Sequence, residues 1–532
     1  MTLAPRFLVA LWARMRVARF ARRLKVPGAA VRAQQDTFAR LMAAAAPTAH
    51  GRALGFSPSL TYAEFRDRVP LQTYATLEPL VARMAAGEAN VLVPGVCRLF
   101  VESAGSFGPQ PKLLPVPDAM LAHFQHGLQE AVFHYAHRCG HKRLFLGRHL
   151  HVGASTALVG SPPANRTSFD GILARCLSPW VAANLHSPSP ALAGMPEGAE
   201  KIDALASAAP HHEITLVGGT PAELCALAQA VREGAASGPR PAAQLQALWP
   251  RLECCLYTGA PLGIFAEPLR AALGPGVNLH EVYAAAEGIF AAQDGEKPPG
   301  LRLLADAGIF YEFLPLASYH EATVERAVSQ CIPLAKIMTG TDYVPVVTTP
   351  AGLCRYVTGD IVRFVSIDPP RLIVVGRAAA RLDALNERDV TETLQAVCTR
   401  NAWQPIAFHV APYEQRQAPG QVSLAHEWWL ELRTHSMKTP TANVIGPELD
   451  AELCRRHAVY AARRAENVLG PPQIRLVMPG VFDRWAREQR KTASASKLPR
   501  CRPDRQIADQ LAALAPFHQP TLVPTKNSRA PV

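Results

Sequence analysis

The sequence predicts an α/β fold: a large N-terminal domain with parallel and mixed sheets and a β-rich subdomain, then a small α+β C-terminal domain. Three patterns predict it. Between residues 143 and 257, short strand-like runs at 143–146, 157–160, 213–217 and 253–257 alternate with helical patterns at 222–233 and 242–249. That alternation is the mark of a buried, largely parallel sheet. From 308 to 375 the runs are strand-like only, at 308–314, 335–339, 343–348, 361–366 and 371–375. Beyond Gly376 the order becomes helix (387–400), strand (406–411), strand (427–432), helix (448–469) and strand (473–478), an α+β unit of its own.

In chain order, residues 7–24 carry apolar side chains at helical spacing among arginines, and residues 1–35 are read as a basic N-terminal helix. Residues 36–87 look helical and loop-rich, with Thr61 and Glu64 forming a capping-box pattern. Short β-like runs follow at 90–94 and 97–101, then a Gly/Ser/Pro stretch, then 112–116. Asp118 is expected to cap a helix reaching His137. The large domain is placed at 36–380, the small mobile domain at 381–515 and a loose Pro-rich tail at 516–532.

The chain has 532 residues, 48% hydrophobic and 18% charged, enough for several cores and too apolar for a disordered protein. Its +12 formal charge is concentrated: residues 1–52 hold ten Lys/Arg against one Asp, and residues 484–505 hold eight against two acids. The remainder is net negative, and without a base-reading motif this excludes a nucleic-acid role. Two readings of the basic helix stay open, packing on the main domain or lying on an anionic membrane surface. An odd number of cysteines, eleven, with no CxxC, points to a reducing compartment. With no convincing secretory signal and no run long enough to span a bilayer, the expected location is cytoplasmic.

Three segments can carry chemistry. Ser103-Ala104-Gly105-Ser106-Phe107-Gly108-Pro109-Gln110-Pro111-Lys112 offers backbone N–H groups, hydroxyls and a terminal lysine, the ingredients of a phosphate cradle; read alone, it favours a plain Gly/Pro loop with a surface lysine. In Glu281-Val282-Tyr283-Ala284-Ala285-Ala286-Glu287-Gly288, Glu287 reads either as a buried acid that needs a partner or metal, or as an exposed helical glutamate. In Gly352-Leu353-Cys354-Arg355-Tyr356-Val357-Thr358-Gly359-Asp360, the Gly-Asp pair either receives vicinal hydroxyls or caps a turn.

In this order the three resemble the auxin-responsive, Gretchen Hagen type acyl acid–amido synthetases of the adenylate-forming superfamily, and the chain is read as a bacterial-type member. The likeness extends to His50-Gly51-Arg52, Val69 to Tyr74, Gly87 to Asn90, Gly470-Pro471-Pro472 and Ser496-Lys497-Leu498-Pro499-Arg500. It implies a ligase that joins a carboxylic acid to AMP from Mg-ATP and passes the acyl group to an amine, commonly an amino acid. It also implies roles. Ser103, Gly105, Ser106 and Gly108 would cradle phosphate, with Lys112 at the end of that loop. Glu287 would hold Mg²⁺, Tyr283 would pack on the nucleotide, and Asp360 would accept the ribose hydroxyls. Arg377 would stand near a hinge, and Lys497 would reach the phosphates or adenylate when the small domain closes.

Ala104 stands where the family usually has Ser, Phe107 where a small hydroxylic residue or glycine is usual, and Ala286 where Ser or Thr precedes the Glu, and each absent hydroxyl removes a hydrogen bond of about 1.5–3 kcal/mol to a charged group. The alternative function is therefore a degenerate nucleotide- or acyl-ligand-binding protein of the same fold. Among other histidines, 211–213 and 426–429 lack a second metal-ligand pair and read as loop or strand-edge positions. His134, His137 and His141 read as cationic caps of a helix end.

Overall fold

The computed structural model describes residues 6–103, 112–140, 143–160, 162–208, 212–236, 244–259, 261–295, 299–418, 421–433, 440–488 and 498–514. Its centre is one thirteen-stranded sheet. One half is parallel, running through His186–Ser187, Arg148–His151, Ile214–Gly219, Cys254–Tyr257 and Asn278–Ala285. Asn278–Ala285 then pairs antiparallel with Gly288–Gln293, and every later neighbour is antiparallel: Leu301–Leu303, Pro370–Arg377, Asp360–Ile367, Asp342–Thr348 and Phe310–Pro315. The alternating and β-only stretches of the sequence are thus two halves of a single sheet, joined at Asn278–Ala285.

The parallel strands are short and buried on both faces, as Cys254–Tyr257 shows with all four residues inside. Helix Asp118–Arg138 lies against the antiparallel side, and Gly127 makes that approach possible: a Cβ there would sit 2.8 Å from the Ile289 Cβ. A second sheet joins Leu99–Ser103 to Lys112–Pro115 and Asn165–Thr167. A third, of Pro405–Ala418, Gln421–Leu432 and Gln473–Val477, forms the C-terminal unit with helices Glu387–Asn401 and Ala442–Arg456. Ile264 of the preceding region packs into the core of this unit.

The N-terminal helix, Arg6–Arg23, is docked. Ala13, Val17 and Phe20 are buried in the main core, and Trp12 meets Phe133, Phe145 and Trp180. The capping box at Thr61 and Glu64 is present at helix Tyr62–Arg68.

Several expectations are corrected. Residues 90–94 form no strand: Asn90 adopts φ 58°, and the Asn90 and Val91 carbonyls accept the Ala49 and His50 N–H groups at a helix start. Residues 143–146 are a 3₁₀ turn, with the strand beginning at Arg148, and 334–336 is likewise a 3₁₀ turn. Asp118 lies in the first turn of its helix rather than at the cap, which is Pro117. The helix expected over 448–469 is two, Ala442–Arg456 and Ala458–Ala465, broken at His457 in extended conformation.

Two histidine readings also change. His426 lies in the central strand of its sheet, buried, with Nε2 2.8 Å from Asp383 Oδ2. His134 is buried against the Phe20 ring, and burial drives its pKa well below the ordinary range, so it is neutral and caps nothing. His141 and His211 lie outside the described residues. No group of three His, Cys, Asp or Glu suited to a metal occurs among the described residues.

Candidate functional site

Strand pairing assembles the site. Ser103 and Lys112 face each other across an antiparallel strand pair. Asp360 and Arg377 are register partners at the end of another pair. Tyr283 stands on the strand where the large sheet changes from parallel to antiparallel, and Glu287 sits in the turn that follows it. Ala284 and Ala285 end the strand, and Ala286 and Glu287 form a turn rather than part of a helix.

Side chains from these elements converge. Lys112 Nζ donates to Tyr356 Oη at 3.3 Å, and Tyr356 Oη donates in turn to Glu287 Oε1 at 3.4 Å. Lys112 Nζ also lies over the rings of Tyr74 and Tyr356, 5.7 and 5.9 Å from their centroids. The Tyr74 hydroxyl accepts the Leu113 N–H at 2.9 Å, fixing the strand that carries Lys112. Tyr283 Oη donates to Asp360 Oδ2 at 2.6 Å, while Arg377 Nε stands 3.7 Å from Asp360 Oδ1. Thr358 Oγ1 accepts the Asp360 N–H and donates to the Pro345 carbonyl, anchoring the Gly-Asp turn.

The electrostatics follow from enclosure. Burial pushes the Glu287 carboxyl above its ordinary range; Lys112 and Arg377 oppose this, and Asp360 reinforces it. Burial and the neighbouring carboxylates hold both Tyr283 and Tyr356 protonated, well above the ordinary phenol value, so they donate hydrogen bonds. Two carboxylates and two cations thus share one recess, with tyrosine hydroxyls between them. An anion bearing a divalent cation would be complementary to such a mixture: Lys112 and Arg377 could attract the anion and Glu287 the metal.

The recess borders the C-terminal unit. Glu387, at the start of helix Glu387–Asn401, accepts the Arg500 N–H at Oε1, 2.9 Å away. The Arg500 guanidinium stacks over Phe408 and Phe265, and burial pulls its pKa down to about 10 against the pull of Glu387. Gly376, one residue before Arg377, has φ +153°, and a Cβ there would stand 3.2 Å from the Glu387 Cβ, so this crossing needs glycine.

Of the residues singled out in the sequence, Lys112, Tyr283, Glu287, Asp360 and Arg377 come together, and Ser103 flanks them across the strand pair. Gly105, Ser106, Gly108 and Lys497 lie outside the described residues. Tyr356, Tyr74 and Glu387 were missed as members. Tyr356 sits inside the motif and could have been found there; Tyr74 and Glu387 have no local signal. Arg355, in the most distinctive motif, faces away. It is fully buried with Glu312, Nε to Oε2 and Nη2 to Oε1 both at 2.9 Å, and also donates to the carbonyls of Arg66, Val69 and Val328.

Three family descriptions match the chain in order: GH3 family N-terminal domain over residues 24–162, GH3 family central domain over 302–377 and GH3 family C-terminal domain over 388–506. The chain belongs to the GH3 family. The central match ends at Arg377, so the Arg355 to Asp360 motif lies wholly within a GH3 domain.

Among curated relatives, the chain is 30% identical over 189 residues to the probable indole-3-acetic acid-amido synthetase GH3.9 of Oryza sativa subsp. japonica, covering 33% of this chain and 41% of that protein. It is 28% identical over 205 residues to the indole-3-acetic acid-amido synthetase GH3.8 of Oryza sativa subsp. indica, covering 36% and 33%. The chain therefore matches less than half the length of these GH3 relatives. Among solved structures, the GH3.15 acyl acid amido synthetase superimposes with a TM-score of 0.69 at 17% identity, covering 96% of this chain and 97% of that one. A 2-hydroxyisobutyryl-CoA ligase in the postadenylation state gives 0.56 at 15% identity, covering 93% and 94%. At these identities the likeness establishes a shared fold.

Proposed function

We propose that this GH3 protein is an ATP-dependent ligase that adenylates a carboxylic acid and transfers the acyl group to an amine, with an amino acid as acceptor. The observation that carries the reading is the convergence of Lys112, Glu287, Asp360 and Arg377, from four separate strands and turns, in one recess beside the C-terminal unit.

A carboxylate is a poor electrophile, and activation consists in giving it AMP as a leaving group. Its attack on the α-phosphate of ATP releases pyrophosphate, and amine attack on the acyl-adenylate then releases AMP. The protein's part is to hold reactants in line and to neutralise phosphate charge. Lys112 supplies a cation fixed between two aromatic rings. Asp360, already oriented by Tyr283 and Thr358, would accept ribose hydroxyls. A magnesium ion needs only one or two protein carboxylates when phosphates complete its shell, and Glu287, raised by burial, gains from a nearby cation. When bound, that ion would offset phosphate charge. Lys497 would approach from the C-terminal unit, whose closure keeps water from the acyl-adenylate.

The test is ATP–pyrophosphate exchange over a panel of carboxylic acids, followed by mass spectrometry for amides when amino acids are added. Acid-dependent exchange that Asp360→Asn lowers roughly 10- to 100-fold supports the ligase. Saturable ATP binding with no exchange for any acid supports instead the nucleotide-binding alternative, which the hydroxyl-free Ala286 beside Glu287 would favour.

A further inference from the structure

The N-terminal helix Arg6–Arg23 has two apolar faces. The inner one, with Ala13, Val17 and Phe20, is buried in the main core. The outer one exposes Leu8, Leu11 and Met15, which are 46%, 52% and 49% accessible and lie at helical spacing on the side away from the body. Docking on the protein therefore does not account for all of this helix.

Arginines flank the outer stripe. Arg14, Arg16, Arg19 and Arg22 are exposed and form no ion pair among the described residues, and Lys25 follows just beyond. Arg16, Arg19 and Arg23 also border a cavity of about 300 Å³ between this helix and Asp118–Arg138, shared with His126 and Gln129. Glu130 faces the same cavity, its carboxylate paired with Arg23 and 3.3 Å from His126 Nε2. No helix among the described residues is long and apolar enough to cross a membrane. A short apolar stripe bordered by unpaired arginines is complementary to the interface of an anionic bilayer, where the apolar side chains enter the acyl boundary and the guanidinium groups meet phosphates.

We propose that the outer face of this helix holds the protein on an anionic membrane surface, with the arginine-lined cavity receiving a lipid phosphate. The inference stands apart from the proposed ligase activity, since none of these residues borders the recess described above. The body would rest on the bilayer through a helix it has already folded, so little ordering opposes binding.

The test is co-sedimentation of the full-length protein with vesicles of phosphatidylcholine alone and of equimolar phosphatidylcholine and phosphatidylglycerol. The anionic vesicles should capture the protein and the neutral ones should not, and salt at about 0.5 M should release it. Leu11→Glu with Met15→Glu, and separately Arg14→Gln with Arg19→Gln and Arg22→Gln, should each weaken capture at least roughly tenfold. Should a variant misfold, the parent protein still reads the interaction, because anionic vesicles should slow trypsin cleavage after Arg14, Arg19 and Arg22 and neutral ones should not. Parent protein left in the supernatant with anionic vesicles overturns the proposal. So does undiminished capture of both folded variants. A dimer in sedimentation that Leu11→Glu with Met15→Glu dissolves, without lipid binding, assigns the face to a second copy instead and equally overturns it.

Discussion

Glu387 and Arg500 are joined through the backbone: the Arg500 N–H donates to Glu387 Oε1 at 2.9 Å, across 113 residues of chain. The contact ties the end of the C-terminal unit to the start of helix Glu387–Asn401, ten residues past Arg377. Glu387→Gln keeps an acceptor for that N–H, whereas Glu387→Ala leaves it without one. The Ala variant should lose about 1–3 kcal/mol of unfolding free energy and the Gln variant less than half as much, measured by urea denaturation. Equal losses would mean that charge, rather than the backbone bond, matters.

Tyr356 links Lys112 to Glu287 through one hydroxyl, so Tyr356→Phe removes the link and keeps the ring under the lysine. Acid-dependent pyrophosphate exchange should fall roughly tenfold in kcat/KM, about 1.4 kcal/mol, with thermal stability little changed. An unchanged kcat/KM would leave Tyr356 as a packing residue.

The Arg355–Glu312 pair has no exposure to solvent screening. Arg355→Met strands a buried carboxylate and should cost about 3–5 kcal/mol, whereas adding Glu312→Leu to it should recover part of that loss. Calorimetry of the single and double variants distinguishes this from simple cavity formation, in which the double variant would be the less stable.

Glu223 sits in an enclosed position with Asp170 nearby, and burial first, then that neighbouring charge, lifts its pKa from 4.5 to about 7. The folded protein thus binds the proton more tightly than the unfolded chain. Its contribution is fully present below about pH 4.5, declines as pH rises towards 7 and is gone above that. Glu223→Gln, which can still accept the Thr220 N–H and hydroxyl, should therefore be more stable than the parent at pH 8, by about 1–2 kcal/mol, and nearly equal to it at pH 4.5. Equal melting temperatures at pH 8 would count against a buried ionised Glu223.

Local pattern made many of the elements legible, and the motif residues were legible only through the resemblance of three ordered segments to one family. Short runs rich in β-branched and aromatic residues marked the strands at 343–348, 361–366 and 371–375, and the Thr61–Glu64 pattern marked a cap, because both depend on neighbours in sequence. Hydrophobic pattern failed at residues 90–94, where Val91, Leu92 and Val93 are buried without pairing; burial alone does not supply a strand partner.

The sequence by itself determined the class of fold and offered Lys112, Tyr283, Glu287, Asp360 and Arg377, together with Ser103, Gly105, Ser106, Gly108 and Lys497, as one candidate set. Only the tertiary structure decided that the alternating and β-only stretches share a sheet, that Tyr356 rather than Arg355 faces the recess, and that Glu387 meets Arg500. It also decided that the basic helix uses one face for packing and leaves another in solvent. The physical reason is that periodicity specifies which side of an element is apolar, whereas the partner of each polar group is set by register and crossing between segments far apart in the chain.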